Sequence, residues 1–145
     1  MAEDRKQLLA RQFIESIPHA RELGMEFVVI GAGEAELTMP YDKRLVGDPS
    51  TGVIHGGAIS TLMDTCGGAA VMSHQANLGA TATLDLRIDY MRPATPGQRI
   101  IARATCYHIT RTVAFVRALA MDEDRDNPVA TATGAFTVER GGAEV

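Results

Sequence analysis

Only two of the 145 residues are cysteine, Cys66 and Cys106, so no disulfide framework can hold this chain together. The pair lacks metal-ligand spacing, and both thiols sit inside apolar runs, the setting of buried reduced cysteine. No hydrophobic run approaches the roughly 18 residues that a membrane-spanning helix needs. The stretch Met1-Ala2-Glu3-Asp4-Arg5-Lys6 is charged and has no apolar core of a secretory signal, so a cytoplasmic location off the membrane is expected. Positive charge is not in excess. The formal net charge is -4, which argues against nucleic acid as a partner on bulk electrostatics and leaves local basic spots for a phosphorylated ligand. A phosphate-binding G-x-x-x-x-G-K loop, a G-x-S-x-G elbow and an H-E-x-x-H helix are all missing. His19, His74 and His108 are scattered without metal spacing, so neither a metal nor a cofactor is expected. There is no internal repeat and no linker.

What is present is ordinary globular composition, 46% hydrophobic and 22% charged, in a length that fits one domain. A chain this size buries roughly 68–70% of its unfolded surface. Residues 4–17 read as an amphipathic helix, with Leu8, Leu9, Phe13, Ile14 and Ile17 at helical spacing and Pro18 as its stop. Two strands, 25–31 and 34–40, flank a Gly31-Ala32-Gly33 turn, and 41–54 reads as a loop. From Gly56 to about Gln75 the residues are apolar or small almost all round, the mark of a buried helix. Residues 80–90 alternate, with Ala82, Leu84, Leu86, Ile88 and Tyr90 on one face and Thr81, Thr83, Asp85, Arg87 and Asp89 on the other. Three further strands follow over 98–108, 112–122 and 128–139. The division expected is an N-terminal helix over 1–17, a main domain over 18–140 and a tail over 141–145. The fold class is α+β, one antiparallel sheet wrapped around a central helix. Open sheet edges and a helix too apolar for one sheet layer favour a homodimer.

Asp64 is the candidate for chemistry. It is the sole carboxylate between Asp48 and Asp85 and sits inside the buried helix, where an unpaired carboxylate costs several kcal/mol. Either this face of the helix reaches solvent, or a neighbouring hydroxyl or amide bonds Asp64, or the carboxylate is functional. His55-Gly56-Gly57 opens the helix. Two glycines leave the first-turn N–H groups unobstructed, and these have no intrahelical partner. With the helix dipole they suit a carbonyl oxygen that becomes an oxyanion, although a plain loop-to-helix junction would also use glycine. Gly56 and Asp64 lie eight residues apart, about 12 Å along the axis. They point in directions differing by roughly 80°. One carbonyl cannot touch both, so a single site built from both needs two chains. Gly67-Gly68, one turn beyond Asp64, leaves room for a ligand or for close packing.

The run His55-Gly56-Gly57-Ala58-Ile59-Ser60-Thr61-Leu62-Met63-Asp64 resembles the signature of the phenylacetic-acid-degradation (PaaI-type) hotdog thioesterases. So do Pro18-His19-Ala20 through Leu23-Gly24-Met25, then Asp89-Tyr90-Met91-Arg92-Pro93-Ala94 and Gly97, and the likeness spans residues 18–139. The resemblance implies a hotdog fold, a homodimer with shared active sites or a dimer of dimers, and cofactor-free hydrolysis of a medium-chain or aryl acyl-CoA. By position it implies Asp64 as nucleophile or general base and the Gly56 amide as oxyanion hole. His55 would orient the thioester or the helix start, and Thr83 would supply a hydroxyl near the water or the carboxylate. Gly57, Asp48, Gly68, Arg92 and Arg111 are the candidates for substrate contact, the two arginines for CoA phosphates. Three positions depart from the pattern. Pro49 stands where relatives carry Asn or Gln, and Asp48 replaces it only if the loop holds one extra residue. Gly68 stands where some relatives carry a hydroxyl. Strict alternation puts Thr83 on the polar strand face, away from the helix. A hotdog dehydratase or hydratase and a non-catalytic acyl-CoA-binding protein are the alternatives.

Overall fold

The computed structural model describes residues 5–139. The expected tail over 141–145 and the first residue of the expected N-terminal helix lie outside them.

Helix α1 spans Arg5–Glu15. Pro18 ends that helix and also begins another. Proline's fixed φ suits a first helical position, and α2 runs Pro18–Glu22 with Ile17 as N-cap. Strands β1 (Glu26–Gly31) and β2 (Glu34–Met39) pair across a turn in which Ala32 (φ 52°) and Gly33 (φ 85°) adopt left-handed backbone. The 41–54 segment is not plain loop. It holds a 3-10 turn at Lys43–Leu45 and the short pair β3 (Val46–Asp48) and β4 (Val53–Ile54). Helix α3 spans Gly56–Ser73. Strands β5 (Thr83–Tyr90), β6 (Ile100–Ile109), β7 (Val113–Met121) and β8 (Ala130–Thr137) follow. The main sheet is antiparallel in the order β1-β2-β6-β7-β8-β5, with β1 and β5 at its edges. This is the expected α+β hotdog arrangement, a sheet curved around one long helix.

The inner face of the sheet is lined largely by alanine. Ala102, Ala104, Ala114, Ala118, Ala120, Ala130 and Ala132 are all buried, and small side chains let α3 settle close to the strands. Gly67 explains itself here. A Cβ at that position would stand 2.8 Å from Phe136 Cζ, so the mid-helix glycine serves helix-to-sheet packing. α1 covers part of the remaining α3 surface through buried Ala10 and Ile14, which join the same core. Cys66 is fully buried and free, and burial pushes its thiol up to about 12. Cys106 is buried and free as well, and desolvation raises it too. No helix is long and apolar enough to cross a membrane.

Arg92 has a structural task rather than an open one. Its guanidinium donates to both carboxylate oxygens of Asp122 (2.7 and 2.8 Å) and to the Asn127 carbonyl. Asp122 is fully buried and also accepts from Thr95 N and Oγ1. The Arg92 guanidinium and the Thr95 donors hold the Asp122 carboxyl well below the usual carboxylate range. A carboxyl depressed on folding stabilises the fold above its unfolded value near ~3.9 and loses that contribution as pH falls below it. Acid titration should therefore destabilise the protein below about pH 4. Asp122→Ala should cost roughly 3–5 kcal/mol at neutral pH and flatten that acid slope. Urea denaturation at several pH values measures both.

Candidate functional site

The start of α3 is built by His55. Its backbone is extended (φ -59°, ψ 135°), its N–H donates to the Leu45 carbonyl, and its Nδ1 accepts from Gly57 N at 2.8 Å. Gly47 lies against it, where a Cβ would stand 2.9 Å from His55 Cα. The Ala58 amide turns back to the His55 carbonyl. With the second and third amides of the turn occupied, Gly56 N–H is the donor left for an external oxygen. Tyr90, which sequence reasoning assigned no role, donates its hydroxyl to the Gly56 carbonyl at 2.8 Å and lays its ring over the glycine.

Asp64 is half-buried on α3, and Thr83 Oγ1 donates to its Oδ1 at 2.6 Å. Strict alternation along β5 would aim Thr83 the other way. The structure corrects that expectation with a β-bulge. Thr83 pairs with Phe136 and Asp85 with the adjacent Ala135, so Leu84 is the extra residue. The bulge reverses the facing of everything before it. Asp85 fills the disrupted ladder by accepting from Ala135 N at 3.0 Å. Gly134 permits the close approach, since a Cβ there would meet Asp85 O at 2.7 Å. β5 is also less covered than a half-buried strand. As an open edge it has most of its side chains exposed, Leu84 to 57%.

The cleft at Asp64 has a volume of about 260 Å³ and lies between α1, α2, α3 and the Thr81–Thr83 segment. Gly68 lines it and leaves it open, because a Cβ there would meet only Thr81 Cγ2, at 3.8 Å. His19 and Thr61 line this cleft and also the depression at His55 and Gly57. Gly56 opens elsewhere, onto a depression with Ile54, Ile59, Tyr90 and Met91 that shares no residue with the Asp64 cleft. The structure thus brings Asp64, Thr83 and Gly68 together and holds His55, Gly56 and Gly57 together, but keeps the two groups apart within one chain.

Of the remaining candidates, Arg92 borders the Gly56 depression, whereas Asp48 and Arg111 lie outside both groups. Asp48 shapes the turn before β4, its Oδ1 accepting from Ser50 N and Oγ. Those hydroxyl and amide donors hold its carboxyl below the usual range. Arg111 sits exposed at the β6–β7 turn and lines neither cleft. Among the described residues no three His, Cys, Asp or Glu side chains gather as a metal centre requires.

Thr83→Val keeps the shape and removes the hydroxyl from Asp64. A hydrogen bond to a charged group contributes about 1.5–3 kcal/mol, so kcat should fall roughly tenfold to a hundredfold with KM little changed. Thr83 is exposed, so the melting temperature should not move. Steady-state kinetics beside a thermal melt checks both.

A family model described as the thioesterase superfamily matches residues 51–129, a span that holds both groups. The medium/long-chain acyl-CoA thioesterase YigI of Escherichia coli is 28% identical over 94% of this chain and 96% of its own. A crystal structure of a Pseudomonas aeruginosa protein is 37% identical, with a TM-score of 0.82 over 92% of this chain and 99% of that one. The PaaI protein of the E. coli phenylacetic acid degradation operon superposes with a TM-score of 0.83 over 97% and 98%, at 22% identity, a likeness of fold.

Proposed function

The chain belongs to the thioesterase superfamily, and on that premise we propose that it hydrolyses a medium-chain or aryl acyl-CoA at a site shared between two subunits. It is a thioester hydrolase of the hotdog type. The observation that carries the finer reading is the Thr83–Asp64 hydrogen bond at 2.6 Å, made possible by a bulge beside the cleft. It orients a half-buried carboxylate through Oδ1 and leaves Oδ2 for the reacting group.

The thioester carbonyl lies between Oδ2 and a donated N–H. In one route Asp64 takes a proton from water as the water oxygen attacks the carbonyl carbon. In the other the carboxylate attacks, forming an anhydride that water then hydrolyses. In both, the carbonyl oxygen becomes an oxyanion held by the Gly56 amide, and the C–S bond breaks to release the CoA thiolate, which is then protonated. The separation of Gly56 and Asp64 into different depressions supports drawing the amide from Gly56 of the partner subunit. The unpaired β5 edge, with exposed Leu84, Tyr90 and Met91 at or beside it, supports a homodimer.

A panel of acyl-CoAs with a thiol-reactive dye tests the reading. Both protein thiols are buried, so dye colour reports CoA. Thiol release with saturation kinetics supports it. Saturable binding without release would make the protein an acyl-CoA-binding module instead.

A further inference from the structure

We propose that the N-terminal helix α1 is the length gauge of this enzyme, and that the Asp64 cleft takes an unbranched aliphatic acyl chain of medium length. The inference rests on the hydrolytic reading of Asp64 above.

Three observations lead to it. First, the cleft is apolar in its chemistry despite its threonines. Thr61 Oγ1 donates to the Gly57 carbonyl, Thr65 Oγ1 to the Thr61 carbonyl and Thr81 Oγ1 to the Thr137 carbonyl. With their hydroxyl protons given to backbone, these side chains offer a ligand methyl groups and an accepting oxygen but no donor. Phe13, Ile14, Met72 and Phe136 supply hydrocarbon directly. The charged group of the cleft is Asp64 itself. His19, which also borders the depression at His55, is a further polar group of the lining, and the stretch along Phe13, Ile14, Met72 and Phe136 rewards a hydrocarbon.

Second, the cleft is elongated along α3. Its α3 residues run from Thr61 through Asp64 and Gly68 to Met72. From Asp64 to Met72 is eight residues, roughly 12 Å along the axis. A straight alkyl chain leaving a carbonyl at Asp64 follows that line over Gly68, where the missing side chain keeps the passage open. A phenyl group is short and broad and would occupy only the Asp64 end.

Third, the wall facing α3 comes from outside the span of the family model. The family match covers 51–129, which includes Asp64, Gly68 and Thr83 but not Phe13, Ile14, Ile17 or Ala20. α1 is anchored on one face only. Ala10 and Ile14 are buried, whereas Phe13 is 44% exposed at the cleft. A wall whose exposed Phe13 can be re-cut without touching the buried core is suited to setting chain length.

The test compares kcat/KM for octanoyl-, butyryl- and phenylacetyl-CoA in the full-length protein and two variants. Gly68→Leu places a side chain across the middle of the passage. Phe13→Glu puts a charge in the wall at a position already partly exposed, so folding is kept even where Gly68→Leu misfolds. The wild type should prefer octanoyl-CoA over both others. In each folded variant the octanoyl-to-butyryl ratio should fall at least about tenfold, since one methylene in an apolar pocket is worth 10–200-fold. An unchanged ratio in folded Phe13→Glu, or a wild-type preference for phenylacetyl-CoA, would overturn the assignment. Absence of thiol release from every substrate would instead sink the hydrolytic reading.

Discussion

Gly56→Pro should fold normally and turn over roughly a hundredfold to a thousandfold more slowly, the loss typical of removing one oxyanion donor. The substitution is unusually clean here. Gly56 is the first residue of α3, where proline is favoured because the N–H it lacks makes no intrahelical bond. The preceding His55 already holds ψ at 135°, the conformation a following proline demands. The cap from His55 Nδ1 to Gly57 N and the Tyr90 bond to the Gly56 carbonyl both survive. The one complication is space, because a Cβ at Gly56 would stand 3.3 Å from Tyr90 Cε1. Gly56→Ala isolates it. That variant crowds Tyr90 equally but keeps the amide, so it should retain most of the turnover. Equal losses in the two would assign the effect to Tyr90 and not to the donor.

Asp64→Asn should lose turnover by about 10²–10⁴-fold as general base, and more as nucleophile, with the fold intact. Asparagine retains an oxygen to accept the Thr83 hydroxyl, so the local geometry persists while the charge and basicity go. Asp64 is half-buried and has no cationic partner among the described ion pairs, so stability should hold or rise slightly. Single-turnover hydrolysis in ¹⁸O-water tests for the anhydride. Label found in the Asp64 carboxylate identifies an acyl-enzyme anhydride opened at Asp64, and label confined to the product acid shows that water attacked the acyl carbon.

Much of this was legible in the chain. The all-round small and apolar character of Gly56–Ser73 marks the central helix, and period-two patterns mark β6 to β8. The eight-residue interval between Gly56 and Asp64 already separates the half-sites. What was not legible depends on partners distant in sequence. Thr83 continues the alternation of β5 as written, and the bulge that turns it toward Asp64 is set by β8, where Gly134 admits Asp85. Arg92 reads as a free cation at a strand end until Asp122, thirty residues on, is folded onto it. Pro18 reads as a stop because a single proline gives no sign that a new helix starts on it. The α1 wall of the cleft was visible only as an amphipathic helix, with nothing to say that Phe13 overlooks Asp64.

The shared site is tested most directly by mixing two dead proteins, Asp64→Ala and Gly56→Pro, under conditions of subunit exchange. In a mixed dimer one site carries both defects and the other carries none. Random exchange makes half the dimers mixed with one good site each, so the mixture should recover roughly a quarter of wild-type turnover. Recovery that follows exchange, absent when the parents are combined without it, is the predicted result. A mixture that stays as inactive as its parents, with mixed dimers shown to be present, would contradict a site built from two subunits.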